Sequence, residues 1–439
     1  MKVAIVGSGI SGLAVAHALR GQAELTLYEA GDYFGGHTHT VDVTLPTAAG
    51  PTTWGVDTGF LVFNERTYPN LIRLFAELGV ETAKSDMSFS VQARQDGLEW
   101  SGSNLATVFA QKRNLLRPAF LGMLADLLRF NKLTTAIAER NADAELQEPI
   151  GDFLDRHRFG TAFRQWYFLP MIGCIWSCPT DQMLRFPIGT MIRFCHNHGL
   201  IQVSNRPQWH TVTGGSRNYV RRMLASIGDA RLNTPVQQVR RLPPGSGTAG
   251  VMVRTARGDE RFDEVVMACH SDQALALLAD ATPDERRVLS AIRYHPNRAV
   301  LHTDTSVLPQ RRRAWAAWNY ARAADAGREQ AAVCLHYLIN QLQPLPWQTP
   351  VIVSLNPDPA HEPDARHVLR EFDYAHPVFD QAAVAAQREL PGIQGRSHVW
   401  FCGAWARYGF HEDGLMSALS VVEGLRAQWG AGTAQQAAA

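Results

Sequence analysis

The sequence predicts an α/β fold organised around a dinucleotide-binding unit, on three observations. Lys2 to Val6 (KVAIV) is apolar after its first residue, as in a parallel strand buried on both faces. Gly7-x-Gly9-x-x-Gly12 follows at once and opens a tightly packed helical run, Leu13 to Leu19. Leu25 to Tyr28 then reads as a second short strand ending in Glu29, the place for a ribose-binding acid. Strand, glycine turn, helix, strand and acid fit within about 30 residues, the size of a Rossmann-like unit.

Each piece has a physical reason. Gly7 permits a tight turn, Gly9 a close backbone approach to a pyrophosphate, and Gly12 close packing of helix on strand. The pyrophosphate belongs on the helix N-terminus, where free N–H groups and the dipole favour an anion. Glu29 would accept from ribose hydroxyls and repel a 2′-phosphate. The string alone is weak evidence, because Gly245-x-Gly247-x-x-Gly250 matches it too. That copy lies in a Pro-rich connection between the strand-like segments 236–241 and 251–256 and opens no helix, so it reads as a hairpin loop.

Further along, Asn64 is a candidate N-cap for a helix with Leu71, Leu74, Phe75 and Leu78 on one face. Residues 86–101 alternate weakly as strands, 104–141 read as amphipathic helix, and 150–200 are apolar and aromatic. Val265 to Ala268 is an apolar strand before a helix carrying Ala274, Leu275, Leu277 and Leu278. Strands are expected at Arg298 to Thr303, Ala331 to Leu338, Val351 to Leu355 and Val399 to Cys402. After the last comes Gly403, then a helix from about Leu415; the low-complexity tail from Gly430 is expected to fray.

Composition narrows the function. The 439 residues are 46% hydrophobic and 19% charged, an ordinary globular balance, and the net charge of +1 gives no footprint for nucleic acid. Six cysteines are too few for a disulfide scaffold, and neither Cys174/Cys178 nor Cys195/His196/His198 has a second ligand pair at metal spacing, so no metal is expected. The longest apolar run, Trp166 to Trp176, is far short of the 18 or so residues of a spanning helix. Met1-Lys2 leads straight into a strand, so a cytoplasmic protein is expected, with contact at the inner membrane surface left open. Of 42 basic residues only Lys2, Lys84, Lys112 and Lys132 are lysines, so no lysine chemistry is available after Lys132.

The motif continues. Gly12-x-x-x-Ala16-x-x-Leu19, Glu29, Gly35-Gly36-His37-Thr38-His39-Thr40 and Asp57-Thr58-Gly59 together resemble the flavin amine-oxidase-like superfamily. Trp209-x-x-Val212-x-Gly214-Gly215-Ser216, Pro235-Val236, Trp400 to Trp405 and Gly409 to Ala418 extend the likeness along the chain. The Gly409–Gly414 form is most similar to a bacterial subgroup related to the flavin domain of plant cyclopropane-fatty-acyl synthases. The resemblance implies a glutathione-reductase-type FAD domain with a discontinuous α+β substrate domain. It implies noncovalent FAD held at Gly7, Gly9, Ser11, Gly12, Glu29, Gly35, Gly36, His37, Thr38, Gly59, Val236, Gly403, Asp413, Leu415, Met416 and Ala418. His37 stands where the family usually has an arginine. The FAD-binding domain is assigned to 1–64, 201–280 and 395–430, the substrate domain to 65–200 and 281–394, and 431–439 to a disordered tail.

No second strand–GxGxxG–helix exists for a nicotinamide, so electrons would come directly from the substrate. Two features weigh against amine oxidation, the superfamily's best-known activity. Asn297 to Thr303, which matches the strand near flavin N5, has no lysine, and the likeness puts Gly414 where an aromatic cage would have a ring. The reading is therefore an oxidoreductase or isomerase moving a hydride between flavin N5 and an apolar, fatty-acyl substrate. The alternatives are an amine oxidase and a non-catalytic flavoprotein subunit of a lipid-modifying system. His411 and Glu412 are candidate reacting groups before the flavin-facing helix, His411 as a general base; alternatively Glu412 or Asp413 caps that helix. Arg66 and Tyr68 could hold a carboxylate, Arg by a bidentate contact. Residues 104–200 could line a tunnel, and Leu115 to Phe130 could be its entrance, a membrane-surface face or a plain bundle helix.

Overall fold

The first strand, β1 (Lys2–Val6), is the middle of a five-stranded parallel sheet. On one side lie β2 (Glu24–Tyr28) and then Asp229–Arg231; on the other lie Glu264–Met267 and then Val399–Phe401. Val3, Ala4 and Ile5 are wholly buried, which explains the unbroken apolar run. The computed structural model describes residues 1–142, 146–202, 206–243, 249–323, 327 and 332–437.

Helix α1 (Ile10–Leu19) is buried nearly all round. It is covered by the helix Arg217–Leu224 and the C-terminal helix His411–Ala437 as well as by the sheet. The latter helix starts four residues before the expected Leu415. It continues to Ala437, through the segment expected to fray and form a disordered tail. Gly414 sits inside it because a Cβ there would lie 2.8 Å from Ile10 Cγ2 and 2.9 Å from Ser11 Oγ. The close crossing is fastened by Ser11 Oγ donating to the Gly414 carbonyl at 2.9 Å.

A seven-stranded sheet forms the second layer system, in the order Val368–Val378, Arg293–His302, Ile352–Leu355, Leu335–Leu338, Trp318–Ala321, Phe89–Ala93, Leu98–Ser101. Its pairs are antiparallel except Trp318–Ala321 with Phe89–Ala93. Helices between residues 118 and 197 pack beside it. The longest is Pro118–Glu139; a π-helical turn, Arg164–Phe168, feeds Leu169–Trp176, and Ile188–Asn197 follows. All strands of the parallel sheet fall in segments assigned to the FAD-binding domain, and all strands of the seven-stranded sheet in segments assigned to the substrate domain.

Asn64 is not an N-cap. It ends the short strand Phe63–Asn64, and its Oδ1 accepts from the N–H groups of Arg66 and Thr67. The helix α2 (Pro69–Leu78) begins after Tyr68 with Pro69 in its first turn. Gln238–Arg241 and Val251–Thr255 pair antiparallel, and residues 244–248 of their Gly245–Gly250 connection lie outside the described residues.

Candidate functional site

One cavity of about 710 Å³ runs from the glycine turn of β1–α1 into the seven-stranded layer. Its first half is a groove built on backbone. Gly7 has φ +103°, and a Cβ there would come within 3.0 Å of the Ala268 carbonyl. A Cβ on Gly12 would lie 1.9 Å from the Gly7 carbonyl, so the third glycine is required by helix–turn packing. Gly9 differs: a Cβ there meets nothing within 4 Å and would project into the groove. The N-terminus of α1 has no side-chain cap and no acidic residue in its first turn, leaving its N–H groups available to an anion.

Glu29, just beyond β2, closes the groove on one side. Its carboxylate accepts from Ser8 N–H (3.1 Å), Ser8 Oγ (2.5 Å) and Gly31 N–H (2.8 Å). Ser8 Oγ in turn accepts from Gly35 N–H at 3.1 Å, joining the two glycine segments. Gly36, at φ +58°, passes so close that its Cβ would be 3.2 Å from Gly9 Cα. Ser8 lies inside the glycine string, but sequence reasoning assigned it no role. Val236, Thr234 and Gly403 also line the cavity. The open Gly9 and Gly36 backbone, the uncapped helix end and the acid fit an adenine dinucleotide.

Of the residues expected to hold it, Gly7, Gly9, Ser11, Glu29, Gly35, Gly36, His37, Gly59, Val236 and Gly403 line the cavity. Gly12, Thr38, Asp413, Leu415, Met416 and Ala418 do not. Thr38 and Asp413 hydrogen-bond His411 and Phe410, which do. Asp413 is the third residue of the C-terminal helix and accepts from the Phe410 N–H at 3.0 Å, closing its first turn. Burial raises the Asp413 carboxyl to about 7. Leu415 and Ala418 are buried core residues.

His37 brings a cluster of rings to the cavity. Its ring lies 5.2 Å from His376, 5.3 Å from Tyr374 and 6.2 Å from His270. Burial, with His270 alongside, pushes His37 down to about 4, so it is neutral near pH 7. Its Nε2 has no hydrogen-bond partner among the described residues.

The candidate reacting groups separate. His411 lines the cavity, stacked 3.7 Å from Phe60, with Nε2 at 2.9 Å from Thr38 Oγ1 and 3.1 Å from Tyr219 Oη. Burial and the nearby His37 push it down to about 3, far from the value of an effective base at neutral pH. Tyr68 lines the cavity, and burial together with Asp413 and Glu412 raises its phenol, keeping it neutral. Glu412 is turned away. It accepts from Asn70 N–H (3.0 Å), Asn70 Nδ2 (2.6 Å) and Leu71 N–H (3.0 Å), at the start of α2. Arg66 is exposed, bonds Gln202 at 3.3 Å and is not among the cavity walls. The pairing of Arg66 with Tyr68 around a carboxylate is therefore corrected.

The second half of the cavity is walled by Met87, Phe89, Met171, Trp176, Phe194, Trp209, Trp318, Tyr337, Tyr408 and Phe410, among others. Residues 171–200 of the expected tunnel region contribute; residues 104–170 do not. Gly414 is not at the wall either, since it packs on α1, so the inference of a missing ring does not hold. Among the described residues Glu29 is the only acidic one lining the cavity, and no Lys or Arg lines it. Cys174 and Cys269 also line it, and burial raises both thiols, Cys269 to about 12.

A family model described as flavin containing amine oxidoreductase matches residues 10–314. Comparison with curated proteins gives no match. Among solved structures, the CLA-producing fatty acid isomerase from P. acnes is similar at 16% identity and TM-score 0.65, covering 96% of this chain and 97% of that one. The cyclohexylamine oxidase from Brevibacterium oxydans IH-35A is similar at 18% identity and TM-score 0.66, covering 97% and 99%. Putrescine oxidase bound to putrescine is similar at 14% identity and TM-score 0.65, covering 97% and 99%.

Proposed function

Because the chain belongs to the flavin-containing amine oxidoreductases and so takes FAD, we propose that it is an oxidoreductase or isomerase acting on an uncharged, fatty-acyl chain. The observation that carries this reading is that no charged residue among those described lines the second half of the cavity. An ammonium ion or a free carboxylate taken out of water costs several kcal/mol unless it is paired. The described walls offer a carboxylate no Lys or Arg and an ammonium no acid, only ring faces, whereas each buried CH₂ of an acyl chain gains about 0.8 kcal/mol. One structural neighbour is a fatty acid isomerase by name, so this fold has a precedent for an acyl substrate.

In this reading the N-terminus of α1, Gly9 and Gly36 would hold the pyrophosphate, and Glu29 would accept from the ribose. Bound flavin supplies the hydride acceptor at N5. The chain's own groups orient the substrate and exclude water: Trp209, Phe410 and Phe194 pack on the acyl chain, and Tyr68 is an uncharged donor at the wall. His411 is a positioning residue, held by Thr38 and Tyr219 and stacked on Phe60.

The test is anaerobic mixing of the FAD-loaded protein with unsaturated acyl esters and, separately, with simple amines. Bleaching of the visible flavin band by the esters marks net oxidation. A shifted double bond without bleaching marks isomerisation. Bleaching by amines, or no reaction across the acyl panel, overturns the proposal.

A further inference from the structure

Residues 104–132 present a surface that the cavity does not use. Among the described residues seven large hydrophobic side chains are exposed, and five belong here: Leu105 (78%), Leu115 (50%), Leu116 (88%), Leu121 (43%) and Leu128 (59%). Helix Pro118–Glu139 carries two of them, Leu121 and Leu128, because it is apolar on two faces. Phe120, Met123 and Phe130 point inward and are buried. Leu121, Ala125 and Leu128, at the three- and four-residue spacing of one helix face, point out. Leu105 lies in the short helix Leu105–Val108, and Leu115 and Leu116 in the 3₁₀ turn Lys112–Leu116 just before Pro118.

The rim is cationic. Lys112, Arg113, Arg117, Arg129 and Lys132 lie in this segment against a single acid, Asp126, in a chain whose net charge is only +1. Asp126 pairs with Arg129 at 2.8 Å, and Arg117 sits 4.5 Å over the Trp166 ring. Lys112 and Lys132 are exposed and form no ion pair among the described residues.

We infer that this face docks on an anionic phospholipid bilayer, with the leucines entering the headgroup boundary and the cations meeting lipid phosphates. A second copy of the chain is a poorer occupant. A two-fold contact would set the same patch against itself and bring two cationic rims together around two acids.

The test is co-sedimentation of the FAD-loaded full chain with vesicles of phosphatidylglycerol and phosphatidylcholine, and with phosphatidylcholine alone. The expected result is binding to the anionic vesicles that weakens as salt rises. It should fall more than about tenfold in L115S/L116S/L121S and in K112E/K132E. These side chains are exposed, so both variants should keep the visible flavin spectrum of the parent, which is checked first. Absence of binding to the anionic vesicles, or binding unchanged in both variants, overturns the inference. So does a stable dimer in sedimentation velocity that the leucine variant dissociates.

Discussion

The carboxylate of Glu412 serves a helix other than its own. Asn70 and Leu71, the second and third residues of α2, donate to it through N–H groups that no side chain of that helix caps. Hydrogen bonds to an ionised acceptor contribute about 1.5–3 kcal/mol. Glu412→Ala is therefore expected to cost about 2–3 kcal/mol in urea denaturation, with the bound-flavin spectrum unchanged. Lost turnover at full stability would instead return Glu412 to the chemistry. His411 invites a different measurement. With its ring held near 3, it gives the rate no ionisation between about pH 5 and 8, so kcat should lack a limb there that His411→Asn removes. A limb near pH 6–7 abolished by that substitution would make His411 the base.

At the scale of the element, the β1–α1 turn separates two kinds of glycine that look alike in the string. Gly12→Ala would drive a methyl group against the Gly7 carbonyl and is expected to prevent folding of the turn. Gly9→Val meets no protein atom at its Cβ, so it should yield a folded chain with native far-UV circular dichroism that binds no FAD. Retained flavin in Gly9→Val would refute the groove assignment. This unit was legible because strand, turn, helix and acid are adjacent in sequence and each obeys a local rule. The C-terminal helix was legible only from Leu415 on. Gly414 costs about 1 kcal/mol within a helix, so it reads as a break, and only the crossing with α1 explains it. The true cap of α2 was not legible at all, because its carboxylate comes from 342 residues away. Asp57 is a similar case. Buried and raised to about 6, it accepts from Ser216 N–H and from Gln343 Nε2, tying together segments that are distant in sequence.

For the whole molecule, buried and half-buried histidines set the response to acid. His37, His39, His198, His270, His302, His336, His376 and His411 are all pushed by burial to about 3 or 4. Well above pH 6.5 they are neutral in both states and contribute nothing to the pH dependence. As pH falls from about 6.5 toward 4, the unfolded chain takes up protons that the folded chain refuses, so stability falls. Asp57 and Asp413, raised to about 6 and 7, act oppositely but are fewer. The midpoint of thermal unfolding should therefore drop across that window; a flat or rising midpoint would contradict the burial of these rings. The parallel sheet has a separate consequence for biogenesis. Its central strand lies beside Glu264–Met267, whose far neighbour is Val399–Phe401, and the cavity is walled in part by residues 403–411. A nascent chain emerging from the ribosome thus displays its glycine turn hundreds of residues before the facing wall exists. With FAD in this groove, as proposed, loading is expected to follow completion of that wall, and a chain truncated before residue 399 should purify without bound flavin.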